Sequence, residues 1–281
     1  MKQKPFSEDA ARGMMLGLAV GDALGAGQAG RARDGQVLPA GMTGGGPHDL
    51  APGQWTDETV QAMCLAQMLR SANGWDAEDA MKRFINWRDY GYLSATRVCF
   101  DMDPDLAAAL RRYEASGNPY AGISDAADRG AGGITRVAPV VLAYGGAVDS
   151  AMAVAQLQCR LTHAGPVCQR AAANIARLLV TGDRALLPRP DTPPDRVGND
   201  VMQVLHAAFW ALDQGDGFEA VMQAAVSLGG DADRAGALAG QIAGRFYGAN
   251  AIPARWREVL HDHDKIATAA ADLYAMRPVD A

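Results

Sequence analysis

The sequence predicts an all-α fold in a compact single domain, residues 1–281. Three observations carry this. Ala, Leu, Met, Gln and Glu recur at three- and four-residue spacing, which is the period of an amphipathic helix. The residues that favour strands are scarce, with only seven Tyr and six Phe in 281 positions. Glycine, finally, falls at every fourth position in two separate segments, a spacing that has meaning only on a helix.

Taken along the chain, the first helix is expected over 8–26, where RGMMLGLAVGDALG places glycines at 13, 17, 21 and 25. A Gly- and Pro-rich loop, 27–54, leads to a helix over 58–71, and the period then predicts helices over 77–88 and 104–115. A second long loop spans 117–133, and loops of this length without structure of their own are usually functional or disordered. Helices follow over 135–145, 148–159 and 166–181, then a proline-rich stretch at 183–197 that reads as a surface connector. The last set covers 198–213, 217–227, 233–247 and 253–259, and its third member carries glycines at 236, 240, 244 and 248.

A glycine inside a helix costs about 0.5–1 kcal/mol relative to alanine. Eight of them need an offsetting gain, and close backbone packing supplies one. The two glycine-ridged helices, about 11–26 and 234–248, are therefore expected at the centre, crossing near −50° through their i±4 ridges. A membrane dimer motif is disfavoured by Asp22 and Arg245 within the ridges.

Composition narrows the function classes. The net charge of −6 gives no basic footprint, so no nucleic-acid partner is expected. No segment approaches the roughly 18 apolar residues of a membrane span, and the N-terminal stretch has no apolar signal core. Cys64, Cys99, Cys159 and Cys168 show no metal or redox spacing, which points to the reducing cytoplasm.

The chemistry concentrates at two helix starts. In GQWTDETVQAM, Thr56, Asp57 and Glu58 offer hard oxygen ligands at the opening of a helix; an N-cap with acids in the first turn is the plainer explanation. In SLGGDADRAGALAG, Asp231 and Asp233 repeat the arrangement. If the two starts meet, four carboxylates converge, and such a concentration of like charge calls for cations. Mg²⁺ or Mn²⁺ matches the oxygen donors, while the lack of an accompanying His/Cys set disfavours Zn²⁺.

The ordered segments GLAVGDALGA, MTGGGPHDLAPGQWTDET, GYLSATRVCFDMD, SGNPYAGISD, TRVAPV, LTHAGP and SLGGDADRAGALAGQIAGRFYGANAIPARW resemble the motifs of the ADP-ribosylglycohydrolase family. The match is collinear over nearly the whole chain. The resemblance implies a compact all-α domain that cleaves the glycosidic bond of an ADP-ribosylated protein or a small ADP-ribosyl conjugate. It implies metal ligation by Thr56, Asp57, Glu58, Asp231 and Asp233, with Asp57 and Glu58 also catalytic. It further implies substrate contacts from Tyr92, His163 and the 130–133 loop through Gly130, Gly132 and Gly133, and a proton-transfer role for Asp101, for which a surface aspartate or turn-former is the plain alternative. A Gly-rich turn and a helix-starting Thr-His are the plain alternatives for the last two substrate elements, and Asp22 reads as a structural acid.

Four departures from the family pattern stand out. The motif TDDT reads Thr56-Asp57-Glu58-Thr59, one methylene longer in one arm. A metal-binding Thr or Ser after the second aspartate is replaced by Arg234, a cation that cannot ligate a metal. The glutamate after GDALGA is absent near Gln28-Ala29-Gly30, and the phosphate loop lacks its asparagine. Arg234 is expected to pair with Asp57, Glu58, Asp231 or Asp233 and displace one metal, leaving one Mg²⁺ or Mn²⁺ rather than two, or none. Two classes of function stay open: a hydrolase with a modified metal site, and an inactive member that binds an ADP-ribose-like ligand or a protein partner. Neither the leaving group nor the oligomeric state is set by the sequence.

Overall fold

Helices α1 (Glu8–Ala26) and α11 (Ala232–Tyr247) form the axis of the molecule, and nearly every residue of both is buried. The computed structural model describes residues 4–33, 41–125 and 127–276. Around the axis lie α2 (Asp57–Ala72), α3 (Ala77–Tyr90), α4 (Pro104–Ser116), α5 (Gly132–Thr135), α6 (Ala138–Tyr144), α7 (Val148–Arg160), α8 (Pro166–Thr181), α9 (Val201–Asp213), α10 (Phe218–Val226), α12 (Ala254–Arg257) and α13 (His263–Ala275). No strand occurs among the described residues, only isolated bridges. Part of the loop expected at 27–54, residues 34–40, lies outside the described residues.

The glycine ridges meet as expected, in antiparallel register. A Cβ on Gly13, Gly17 or Gly21 would overlap the carbonyl oxygen of Gly244, Gly240 or Gly236, and one on Gly25 that of Ala232. Two expectations are corrected. Helices crossing near −50° touch at one point and splay within two turns, whereas this contact runs the full ridge, about 18 Å at 1.5 Å per residue; the two axes lie nearly side by side. Gly248 is not the fourth rung. It caps α11 at φ +79°, its amide bonded to the Gly244 carbonyl 3.0 Å away, and Ala232 takes the rung instead.

The helix expected over 135–145 forms only as α6, over Ala138–Tyr144, and a break separates it from the preceding turn α5. Pro139 explains the break: inside a continuous helix its ring would clash with the carbonyl four residues back and leave that carbonyl without a donor. At the start of α6 it is tolerated. The buried Gln241 of α11 bridges the gap, accepting from Ala138 N at 3.1 Å and donating to the carbonyls of Ile134 (2.9 Å) and Thr135 (3.2 Å). Helix α13 was not expected at all. It packs Ile266, Ala269, Ala270 and Leu273 into the core, and the Lys4 ammonium binds its C-terminal carbonyls at Leu273 and Tyr274, both at 2.7 Å. No helix among the described residues is long and apolar enough to cross a membrane.

Candidate active site

The C-terminal half of α1 and the N-termini of α2 and α11 open on one point, and Asp22 is the pin that fixes it. Thr56, at the N-cap of α2, makes no capping bond of its own. The orphan donors of that helix start are met from α1: Asp22 Oδ1 accepts from Thr56 N (2.9 Å) and Oγ1 (2.7 Å), and Oδ2 from Thr59 N (2.9 Å) and Oγ1 (2.6 Å). Burial raises the Asp22 pKa to about 6, with the four donors pulling the other way. The Thr56 hydroxyl is thus committed to Asp22 as a donor, and Asp22 has the structural role its position suggested.

Asp57 and Asp233, in the first turns of α2 and α11, meet Asp101 from the α3–α4 loop. Each offers an oxygen, and these oxygens all lie within 4.8 Å of one another. Burial pushes Asp57 well above the usual carboxylate range and neighbouring Glu58 adds to it; Asp233 is likewise raised by burial, against the pull of Arg234. Gln61 Nε2 donates to Asp57 at 2.8 Å, and Gln61 Oε1 accepts from the fully buried Arg136, so a cation stands one amide behind the acid.

Glu58, adjacent to Asp57, points elsewhere. Its Oε2 accepts from the Thr135 hydroxyl, and its Oε1 lies 3.1 Å from Arg234 Nε, off the hydrogen-bond line and otherwise unpartnered. Burial raises Glu58 to about 7, with Arg234 opposing. The Arg234 fork continues to Asp103 Oδ2 at 2.9 Å and to Asn199 Oδ1. Asn199 in turn donates to Asp103 at 3.1 Å and accepts from Ala131 N at 3.2 Å, tying α4, α9 and the 130–133 loop to the guanidinium. For Asp103, burial is outweighed by Arg234 and His163, and its pKa falls below the ordinary value.

The predicted site residues therefore divide. Asp57, Asp101 and Asp233 come together, and Glu58 joins through Arg234. Asp231, the N-cap of α11, is not among the three acids whose oxygens lie within 4.8 Å of one another, yet it stands close enough for the charges of Arg234, Asp101 and Asp103 to act on it. Arg234 pairs with Glu58 as expected, and also with Asp103, which the sequence reading passed over. Tyr92 accepts from Arg83 Nη1 at 3.1 Å on α3. The 130–133 glycines have a packing reason to be glycine: a Cβ on Gly130 would overlap the His163 ring, and one on Gly133 the Cys159 sulfur.

His163 is buried beneath that loop. Arg136 Nη2 donates to Thr162 Oγ1 at 2.7 Å, and the same hydroxyl is hydrogen-bonded to His163 Nδ1, also at 2.7 Å. His163 Nε2 lies 3.7 Å from Asp105 and has no hydrogen-bond partner. Burial lowers the His163 pKa to about 4, against the attraction of Asp103. Asp103, Asp105 and His163 also cluster within 4.8 Å. Within that group Asp103 is already held by Arg234.

A family model described as ADP-ribosylglycohydrolase matches residues 3–192 and 174–281. The chain belongs to the ADP-ribosylglycohydrolase family. It is 31% identical over 300 residues to the ADP-ribosylarginine hydrolase Tri1 of Serratia proteamaculans (strain 568), covering 98% of this chain and 82% of that one. It is 30% identical over 277 residues to the ADP-ribosyl-[dinitrogen reductase] glycohydrolase of Rhodospirillum rubrum, covering 90% of each. A solved structure titled "ADP-ribosylglycohydrolase-related protein complex" superposes with a TM-score of 0.82 at 38% identity, covering 96% of this chain and 98% of that one. This ADP-ribosylglycohydrolase-type chain thus carries an all-α hydrolase fold.

The donor set fits a divalent cation. Three close carboxylates, Asp57 and Asp233 buried and Asp101 half-buried, are unfavourable together without positive charge, and all-oxygen donors suit Mg²⁺ or Mn²⁺. Beside the three acids, the guanidinium of Arg234 pairs with both Glu58 and Asp103.

Proposed function

We propose that this protein hydrolyses the glycosidic bond of an ADP-ribosylated protein or a small ADP-ribosyl conjugate at a modified metal site, with Asp57, Asp101 and Asp233 holding one Mg²⁺ or Mn²⁺. The observation that carries the modified site is Arg234, buried between Glu58 and Asp103 immediately beside the three-acid cluster. A bound divalent ion would supply positive charge for ribose hydroxyls and an incoming water.

The chain's own residues supply the rest. Gln61, backed by Arg136, orients Asp57. Thr135 and Arg234 hold Glu58 by its two oxygens, leaving a lone pair of Oε1 for a substrate hydroxyl. Asp101 comes from a loop rather than a helix, and we assign it the proton of the attacking water. His163 Nε2 is a buried polar atom without a partner beneath the 130–133 loop, which supports a polar contact to a ligand there. The relatives named above act on ADP-ribosylarginine and on ADP-ribosyl-dinitrogen reductase, which supports a protein conjugate as substrate. A single domain is supported by one apolar core running from Phe6 to Leu273, and a reducing, cytoplasmic setting by four unpaired cysteines.

The test is turnover of ADP-ribosylated arginine and serine peptides, with Mn²⁺ or Mg²⁺ and after chelation. Release of ADP-ribose that needs the metal and is lost in Asp57→Asn supports the reading. ADP-ribose binding without any turnover would replace it with that of an inactive member.

A further inference from the structure

The three acids of the cluster are not held alike. Asp57 and Asp233 sit in the first turns of long helices, whereas Asp101 lies in the loop between α3 and α4 with φ +54°. Leu93 and Arg97 of the same loop also have positive φ, at 59° and 65°. Such backbone costs on the order of 1 kcal/mol or more per residue and persists only where surrounding contacts hold it. Asp101 therefore needs a partner from outside its own loop.

That partner comes from the hairpin at 45–50. Gly45 and Leu50 exchange backbone bonds, Gly45 N to Leu50 O at 2.7 Å and Leu50 N to Gly45 O at 3.0 Å, closing a four-residue tip. Gly46 at φ +71° and Asp49 at φ +49° turn the tip so that His48 reaches across. His48 Nε2 lies 3.1 Å from Asp101 Oδ1, and its ring rests against Phe100 with centroids 5.1 Å apart. Among the described residues this imidazole is the one side-chain donor within bonding reach of Asp101.

We propose that His48 is a positioning residue: it clasps Asp101 across the mouth of the site and fixes that carboxylate in the metal-binding cluster. The proposal rests on the metal reading above. The imidazole engages one Asp101 oxygen and leaves the remaining lone pairs for the cation, the relation in which an outer partner orients a ligand. The Phe100 contact sets the ring plane, so aromatic packing and the polar contact to Asp101 are separable by mutation.

His48→Phe keeps the ring against Phe100 and removes the donor, while His48→Gln restores a donor at similar reach. In Mn²⁺ calorimetry on the full chain, His48→Phe is expected to weaken binding about 10-fold, with His48→Gln close to wild type. Tryptic cleavage after the exposed Arg97, followed by mass spectrometry without metal, is expected to be faster in His48→Phe than in wild type or His48→Gln. Wild-type behaviour of His48→Phe in both measurements would overturn the clasp. If wild type binds no Mn²⁺, the metal reading fails and cleavage alone decides: acceleration confined to His48→Phe upholds the clasp, and equal rates reject it.

Discussion

Replacing Gly17 with alanine should destabilise this protein, although alanine is the better helix former by about 1 kcal/mol. The added Cβ would overlap the Gly240 carbonyl and approach Phe218 Cε2 at 3.1 Å. The obstacle is backbone inside a buried helix, so α1 and α11 must separate by roughly an ångström to clear it. A gap of 0.5–1 Å forfeits about a quarter to a half of each atom-pair contact of ~0.1–0.2 kcal/mol, and several tens of pairs along the ridge lose on the order of 2–4 kcal/mol. Net of propensity, Gly17→Ala should cost about 1–3 kcal/mol. For a chain of this size that lowers Tm by roughly 2–4 °C per kcal/mol. Urea unfolding and calorimetry measure it; a Tm that rises by the propensity increment would refute the reasoning that the glycines exist for backbone contact.

Two further outcomes follow from the buried polar network. The folded-state pKa of His163, about 4, lies below the unfolded value of about 6.5, so the unfolded chain binds more protons between those limits and stability falls as pH drops through that window. The His163 contribution should be about 2 kcal/mol between pH 7 and 5, read as the difference in pH dependence of unfolding between wild type and His163→Asn; equal slopes would place the histidine in contact with water. Gly133→Ala should destabilise by about 1–3 kcal/mol because its Cβ meets the Cys159 sulfur, and adding Cys159→Ala should recover part of that loss. A double mutant no better than the sum of the singles would show that the glycine serves something other than this contact.

The helical class was legible because a 3.6 period pervades the chain, and the glycine ladders were legible because their cost demanded a packing partner. The register of that packing was not, since a four-residue repeat is compatible with either a steep or a shallow crossing. Pro139 carried the signal for the α5–α6 break. Helix α13, with Ile266, Ala270 and Leu273 at helical spacing, was within reach of the same periodicity that found the others. At the site, Asp57, Glu58, Asp233 and Arg234 were visible as acidic helix starts with an intruding cation. Asp101 came only through family resemblance. The division of labour between neighbours was hidden until the helices had an orientation: Asp57 and Glu58 differ by about 100° around α2, so one faces the three-acid space and the other faces Arg234. Asp103, Asn199, Thr135 and Arg136 were missed because their roles arise from long-range convergence. Asn199 meets Asp103 across 96 positions, and Thr135 meets Glu58 across 77.

The account turns on one divalent ion beside a guanidinium that takes the place of a second. Anomalous diffraction from Mn²⁺-soaked crystals of the unmodified protein tests it most directly. One peak among Asp57, Asp101 and Asp233, with Arg234 still joining Glu58 to Asp103, is the predicted result, and Arg234→Thr should then admit a second ion. Two well-occupied peaks in the wild type, with Arg234 turned to solvent, would contradict it.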